Sequence, residues 1–316
     1  MQVVATDHGA ERIPHGKLKV GGKMSNINLG QKSQTKFNKS SHVKSKGPNK
    51  SLGQHWLRDR EILNQIAAEA EINEGDFVLE VGPGLGTLTS SLLRASGKTG
   101  KVLAVEFDPS LARKLPAQFP GKNLTVINED FLNFDLNKLP KNYKVAANVP
   151  YYITSKIIEK LLTSTNKPQV AALLVQKEVA ERICAPAGEL SVLGIAAQLY
   201  AEVELGVFVS RELFTPPPKV DSRVVILKVL EKNRLELFNQ QHNCQINEKQ
   251  FFRVVKAGFA ARRKKISKAL SANLALSREQ TIQLLSQAQI SPDIRAQDVN
   301  IEEWLEITRY FLILAK

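Results

Sequence analysis

The sequence predicts an α/β fold, a mostly parallel sheet covered by helices on both faces, with a small all-helical domain after it. Three observations carry this. The stretch Phe77-Val-Leu-Glu-Val81 is apolar apart from Glu80 and rich in β-branched residues, and it runs into a turn holding Gly82, Gly84 and Gly86. That is the order of a buried strand, a tight turn and a helix. From there to residue 176, strand-like runs alternate with helical patterns, and strands joined by helical crossovers form parallel sheets. After Asn233 the apolar spacing is helical alone.

Taken in order, residues 1–50 carry ten Lys and Arg against two Asp and Glu, which is +8 of the chain's +13. They lack apolar periodicity, so residues 1–49 are expected to be a disordered basic extension, either a solvated tail or an arm for a polyanion. Order is expected from about residue 50, where Asp59 can cap a helix with Ile62, Leu63, Ile66 and Ala70 on one face. Strands follow at residues 77–81, 101–106, 124–127, 143–147 and 169–176, with helices starting at Thr87, Pro109 and Thr154. A helix over residues 190–200 precedes two alternating runs, 203–209 and 223–229, separated by Phe214 and the three prolines Pro216, Pro217 and Pro218. Helices over residues 248–261, 264–273, 278–288 and 301–314 complete the chain, and the basic run Arg262, Arg263, Lys264 and Lys265 lies between the first two.

Composition removes several classes of function. Cys184 and Cys244 are the only cysteines and stand in unrelated contexts, so neither a disulfide framework nor a zinc site is expected. No apolar run reaches the roughly 18 residues of a membrane span, and the N-terminus lacks a secretory core, so a cytoplasmic protein without a membrane or metal partner is expected.

In a parallel sheet, ligands bind beyond the carboxyl ends of the strands. The glycine turn, Glu106, Asp130 and the run Asn148-Val149-Pro150-Tyr151 all fall there. A dinucleotide fingerprint would need glycine at position 87, where Thr87 stands, and no Gly-Lys-Ser/Thr follows to make a P-loop. Glu106 can accept bonds from both hydroxyls of a ribose, or it can serve the next helix N-terminus. Asp130 can accept from an adenine amine with Phe131 packed near the ring, or it can be a turn residue. In Asn148–Tyr151, the Asn oxygen and the carbonyl preceding or at Pro150 can accept the two N–H bonds of an exocyclic amine, while Tyr151 offers a ring to a flipped base. A proline-stiffened loop with a surface aromatic is the alternative.

Glu80-x-Gly82-x-Gly84-x-Gly86 resembles the first motif of S-adenosylmethionine (SAM) dependent methyltransferases. With Gly53-Gln-His-Trp-Leu57, Asn148–Tyr151 and Phe214-Thr-Pro-Pro-Pro-Lys-Val-Asp-Ser222, it makes the chain from about residue 50 onward similar to the ribosomal small-subunit RNA adenine dimethyltransferase family. The resemblance implies a Rossmann-like class I SAM-dependent methyltransferase core over residues 50–232 and a helical RNA-binding domain over residues 233–316. It also implies transfer of two methyl groups to the N6 amine of each of two adjacent adenosines near the 3′ end of small-subunit rRNA, by a monomer acting on a subunit or an assembly intermediate. By the same resemblance SAM is held by His55, Leu57, Gly82, Gly84, Gly86, Glu106, Asp130 and Asn148. The target adenine is handled by Asn148, Pro150 and Tyr151, with Phe214 closing the pocket opposite the tyrosine, although a core role for Phe214 is equally open. The basic run at 262–265 then meets RNA phosphates, or else is a solvated turn. This chain departs from the family at His55, where an Asn is usual, and at Trp56, where a Phe is usual. The related large-subunit adenine methyltransferase shares the core motifs, but the Phe214–Ser222 segment and the stretch from Arg295 to Trp304 favour the small-subunit enzyme. An assembly factor without catalysis would be marked by a damaged glycine loop or a lost Asn148, and a DNA enzyme more often carries Asp-Pro-Pro-Tyr.

Overall fold

The computed structural model describes residues 55–261 and 263–314. The extension expected over residues 1–49, and Arg262, lie outside the described residues. The chain opens with β1 (Trp56–Leu57) and α1 (Arg60–Glu69), which Asp59 caps by accepting from the Ile62 N–H at 3.0 Å. The alternating part follows as β2 (Phe77–Val81), α2 (Thr87–Ala95), β3 (Lys101–Glu106), α3 (Pro109–Lys114), β4 (Leu124–Asn128), β5 (Lys144–Asn148), α4 (Thr154–Thr163) and β6 (Val170–Gln176). Next come α5 (Lys177–Ile183), α6 (Val192–Tyr200), β7 (Ala201–Val209), β8 (Phe214–Thr215) and β9 (Ser222–Val229). Beyond them lie α7 (Arg234–Gln241), α8 (Glu248–Phe259), α9 (Ile266–Leu274), α10 (Arg278–Gln287) and α11 (Ile301–Leu314). Capping boxes start α7, α8 and α10, each pairing an Asn or Ser with Glu or Gln three residues on.

Seven strands form the main sheet in the order β4-β3-β2-β5-β6-β9-β7. Strands β2 to β6 pair in parallel, and β9 is inserted antiparallel to both of its neighbours. The order reverses between β2 and β5, which opens a crevice at the carboxyl ends of those two strands. β9 runs the other way, so its first residue, Ser222, pairs with Gln176 at the carboxyl end of β6. The connection that precedes β9 is thereby delivered to the same edge. A separate two-stranded pairing, β1 with β8, joins Leu57 to Phe214 and Trp56 to Thr215.

The central strands β2, β3, β5 and β6 bury both faces, as their near-continuous apolar runs require. Val78, Val102, Ala146 and Leu174 pack in one cluster with Leu63 and Ile66 of α1 and Leu88 and Leu92 of α2. Leu79, Leu103, Val145 and Leu173 face the other way. Their cluster takes in Ile157 and Ile158 of α4, Leu199 of α6, and then Phe251, Trp304 and Ile307 of the C-terminal helices.

Candidate active site

The crevice holds a cavity of about 210 Å³, lined from the carboxyl ends of β2, β3 and β5 and from β1. The turn after β2 places Gly82, Gly84 and Gly86 at φ of 67°, 57° and 80°, the left-handed region that glycine enters at no steric cost. Gly82 and Gly84 line the cavity. A Cβ on Gly82 would meet nothing within 4 Å, so the bare backbone there borders open space that a ligand can fill.

Glu106, at the end of β3, lines the cavity and is 5% exposed. Its carboxylate accepts from the Gly84 N–H at 2.9 Å and from the Asp108 N–H at 2.8 Å, so it ties the glycine turn to the next strand. Burial pushes its pKa up, and these N–H bonds hold it down. Asp108 caps α3, accepting from Ser110 and Leu111, which leaves Glu106 free of that duty. Each of its oxygens retains a lone pair for a hydroxyl donor. Asp130 also lines the cavity, and it accepts from the Leu132 N–H at 2.9 Å. It is thus both a turn residue and a wall.

Glu80 is 1% exposed and accepts from the Thr89 hydroxyl at 2.6 Å. Burial pushes its pKa up to about 8 against that hydrogen bond, and the Glu106 carboxylate adds to the rise. Folding therefore takes up a proton on Glu80 between the ordinary 4.5 and about 8. Stability then falls as pH rises through that window, by at most about 1.4 kcal/mol per pH unit. Glu80→Gln is expected to flatten the plot of urea midpoint against pH across this range; a curve parallel to the wild type would show Glu80 ionised in the folded protein.

At the end of β5, Asn148 donates from Nδ2 to the His55 carbonyl at 3.1 Å. This orients the amide, with nitrogen toward β1 and Oδ1 left as an acceptor. The Pro150 carbonyl accepts from the Ile153 N–H at 3.2 Å and the Thr154 hydroxyl at 3.4 Å. No donor among the described residues reaches the Val149 carbonyl. Of the two carbonyls open in the sequence, that of Val149 is the one available, and Pro150 fixes it in place. The Tyr151 hydroxyl shares a hydrogen bond of 2.7 Å with Ser222 Oγ, and burial pushes the phenol pKa up. His55 donates from Nδ1 to the Pro216 carbonyl at 2.8 Å, and its ring stands near that of Tyr151.

Three expected contacts lie outside the cavity wall. The side chain of Leu57 is 1% exposed and that of Phe214 is 3% exposed; paired across β1 and β8, both pack into the cluster around α1 and α2. The base-closing position expected for Phe214 is thus replaced by a core position. Gly86 turns toward Leu115 and Phe119, where a Cβ would come within 2.5 Å and 3.0 Å of their side chains, so it serves close packing at the start of α2.

Among the wall residues to which the sequence gives no role, two stand out. Phe107, 57% exposed, follows Glu106 on the cavity rim, and its signal was a large apolar residue just past a strand end. Phe131, expected near the ligand ring, also lines the cavity but is 4% exposed. Trp56 is the second, with a buried indole N–H that has no partner among the described residues. In the C-terminal helices, Arg263 and Lys264 are exposed, and Lys265 is ion-paired with Asp293 at 2.8 Å. Among the described residues no cluster of His, Cys, Asp and Glu is suited to a metal ion, and no helix is long and apolar enough to cross a membrane.

A family model described as ribosomal RNA adenine dimethylase matches residues 46–312. The ribosomal RNA small subunit methyltransferase A of Fusobacterium nucleatum is 38% identical over 266 residues, covering 83% of this chain and 97% of the relative. That of Dehalococcoides mccartyi strain CBDB1 is 37% identical over 262 residues, covering 82% and 86%. Among solved structures, a dimethyladenosine transferase from Plasmodium falciparum aligns at TM-score 0.65 and 25% identity, over 80% of this chain and 96% of that one. The 23S rRNA methyltransferase ErmE aligns at 0.64 and 28%, over 81% and 99%. The sheet order, the glycine turn and the Asn148–Tyr151 loop therefore sit in a Rossmann-like class I methyltransferase core, and the chain belongs to the ribosomal RNA adenine dimethylase family.

Proposed function

We propose that the protein dimethylates the N6 amine of two adjacent adenosines near the 3′ end of small-subunit rRNA, using SAM, in the cytoplasm and as a monomer. The observation that carries this reading is the orientation of Asn148, whose Nδ2 is committed to the His55 carbonyl so that Oδ1 faces the reaction as an acceptor. When bound, SAM supplies a methyl group already activated as a sulfonium. The chain has only to bind and align. Glu106 would hold ribose hydroxyls and Asp130 the adenine amine of the cofactor, with Gly82 and Gly84 giving close backbone approach and His55 and Asn148 bordering its methyl end. Gly86 and Leu57 shape this site from behind.

For the target base, Asn148 Oδ1 and the Val149 carbonyl take the two N–H bonds of the amine, which draws the nitrogen toward tetrahedral geometry and aims its lone pair. Tyr151 stacks on the flipped ring. Residues 50–232 would form the catalytic domain and residues 233–316 the RNA-binding domain, with Arg262 to Lys265 on the phosphates. The relatives at 37% and 38% identity are named for the small subunit, whereas ErmE, at 28%, is named for 23S rRNA, which favours the small-subunit target.

Labelled SAM incubated with unmethylated small subunits is the deciding experiment. Label at adjacent adenines near the 3′ end supports the reading, and label confined to large-subunit RNA refutes it. In RNA binding, Lys264→Ala is expected to lower the slope of log affinity against log salt by roughly 0.7 to 0.9, one phosphate contact. Lys265→Ala should change it less, because Asp293 already neutralises that charge. Equal slopes for Lys264→Ala and wild type would remove the basic run from the interface.

A further inference from the structure

We propose that the groove between α4 and α8 is a docking site for an acidic amphipathic helix of a partner protein. The groove shares no lining residue with the crevice, so the inference stands whichever RNA the enzyme methylates. Helix α6 packs against both α4 and α8, and it forms the floor of a groove of about 820 Å³ whose walls are the other two helices. Val192 and Leu193 on the floor and Phe252 on the α8 wall are only half-buried, which leaves an apolar strip in the open. Along the same wall Lys249, Arg253 and Lys256 are exposed at spacings of four and three residues, one stripe of the helix roughly 10 Å long. Among the described residues none of the three is ion-paired, and Arg253 is held over the Phe311 ring at 5.4 Å. Tyr200, 3% exposed, also lines the groove, and its hydroxyl has no hydrogen-bond partner among the described residues.

An apolar strip edged by unpaired cations is the complement of a helix with carboxylates along one edge and apolar residues on the face beside it. Carboxylates at i, i+4 and i+7 match the stripe on α8 in step, and the apolar face then covers Val192, Leu193 and Phe252. An acceptor brought by the partner also satisfies the Tyr200 hydroxyl, which is costly to bury alone. RNA fits this groove less well. It carries a charge at every nucleotide, so it would set phosphates against Glu159 and Glu248, which stand on the two walls. Its bases stack on flat rings rather than on the branched side chains of this floor. The chain's own residues 1–50, with ten Lys and Arg against two Asp and Glu, have the wrong sign for the α8 wall.

The test uses the full chain and two fluorescein-labelled amphipathic peptides of about four helical turns, identical except that one carries Glu and the other Lys along the charged edge. Binding is read by fluorescence anisotropy. The Glu peptide is expected to bind and the Lys peptide to stay free. Lys249→Glu combined with Lys256→Glu should weaken the Glu peptide by about tenfold or more, because attraction at two positions becomes repulsion. Ala196→Trp, which fills the floor, should weaken it at high salt as well as at low. Neither change touches the crevice, so affinity for S-adenosylhomocysteine should match the wild type. The proposal is overturned if neither peptide binds, if the Lys peptide binds as tightly as the Glu peptide, or if the charge reversal leaves binding of the Glu peptide unchanged. It is equally overturned if the charge reversal lowers affinity for small-subunit RNA as much as Lys264→Ala does, which would give the groove to RNA.

Discussion

Asn148→Ala is expected to reduce methyl transfer by roughly 10²- to 10³-fold in kcat, the usual loss when one preorganised polar group leaves a reacting centre. Affinity for S-adenosylhomocysteine should change little, because the nucleoside end is assigned to Glu106 and Asp130, at the ends of other strands. The contrast between rate and binding is the useful readout, and it comes from single-turnover kinetics beside calorimetry. Asn148→Asp makes a sharper test. It keeps an acceptor toward the amine but sets a second oxygen against the His55 carbonyl, 3.1 Å from the present Nδ2. Two acceptors cannot share that contact, so the aspartate variant should be slow despite its retained acceptor, and less stable than wild type. An alanine variant with near-normal kcat would remove Asn148 from the alignment of the amine.

Gly86→Ala should have the largest effect on folding of any change in the glycine turn. A left-handed non-glycine residue costs about 1–2 kcal/mol. Overpacking a filled site adds roughly 1–3 kcal/mol. Here the new Cβ would stand 2.5 Å from Leu115 Cδ1, and Leu115 is fully buried. A total loss of about 2–5 kcal/mol is expected in urea unfolding of the unliganded protein. Gly82→Ala meets no neighbour, and should cost only the backbone term while projecting its methyl into the cavity. Its signature is therefore weakened binding of S-adenosylhomocysteine with modest loss of stability. If the two variants exchanged these signatures, the assignment of Gly82 to the ligand and Gly86 to the core would be wrong.

Much of the fold was readable because strong periodic segments bounded by caps and glycines say where they start. Residues 77–81, 101–106 and 301–314 form the elements expected to the residue. Asp59 caps α1 as expected. Helix α5 was missed because it follows β6 with no breaker between Gln176 and Lys177. Helix α7 was missed because it buries only Leu235 and Phe238, although its Asn233 and Glu236 capping box was there to be read.

The site divides in the same way. Gly82, Glu106, Asp130 and Asn148 sit at or just beyond strand ends, so local order placed them in the crevice. The direction of Leu57 and Phe214 was hidden, because a two-residue strand has no alternation of its own. Their inward facing is set by pairing with each other, 157 positions apart in the chain. His55 drew attention in sequence as a departure from the usual Asn, yet its neighbours Pro216 and Tyr151 come from distant segments and only the folded chain brings them to it.

That β1–β8 pairing also sets an order of events. Closing so long a loop for two residue pairs returns little against its entropy, so it forms after the parallel strands have assembled and is among the first contacts to release. The amides of Trp56 and Leu57 should accordingly exchange with deuterium through small local openings, far faster than those of Val78 to Val81 at the sheet centre. The strand ends carrying Glu106 and Asn148 can thus remain in place while the segment bearing His55 and Trp56 comes and goes. A mature protein could loosen the wall that β1 gives the crevice without unfolding the strands that end at Glu106 and Asn148.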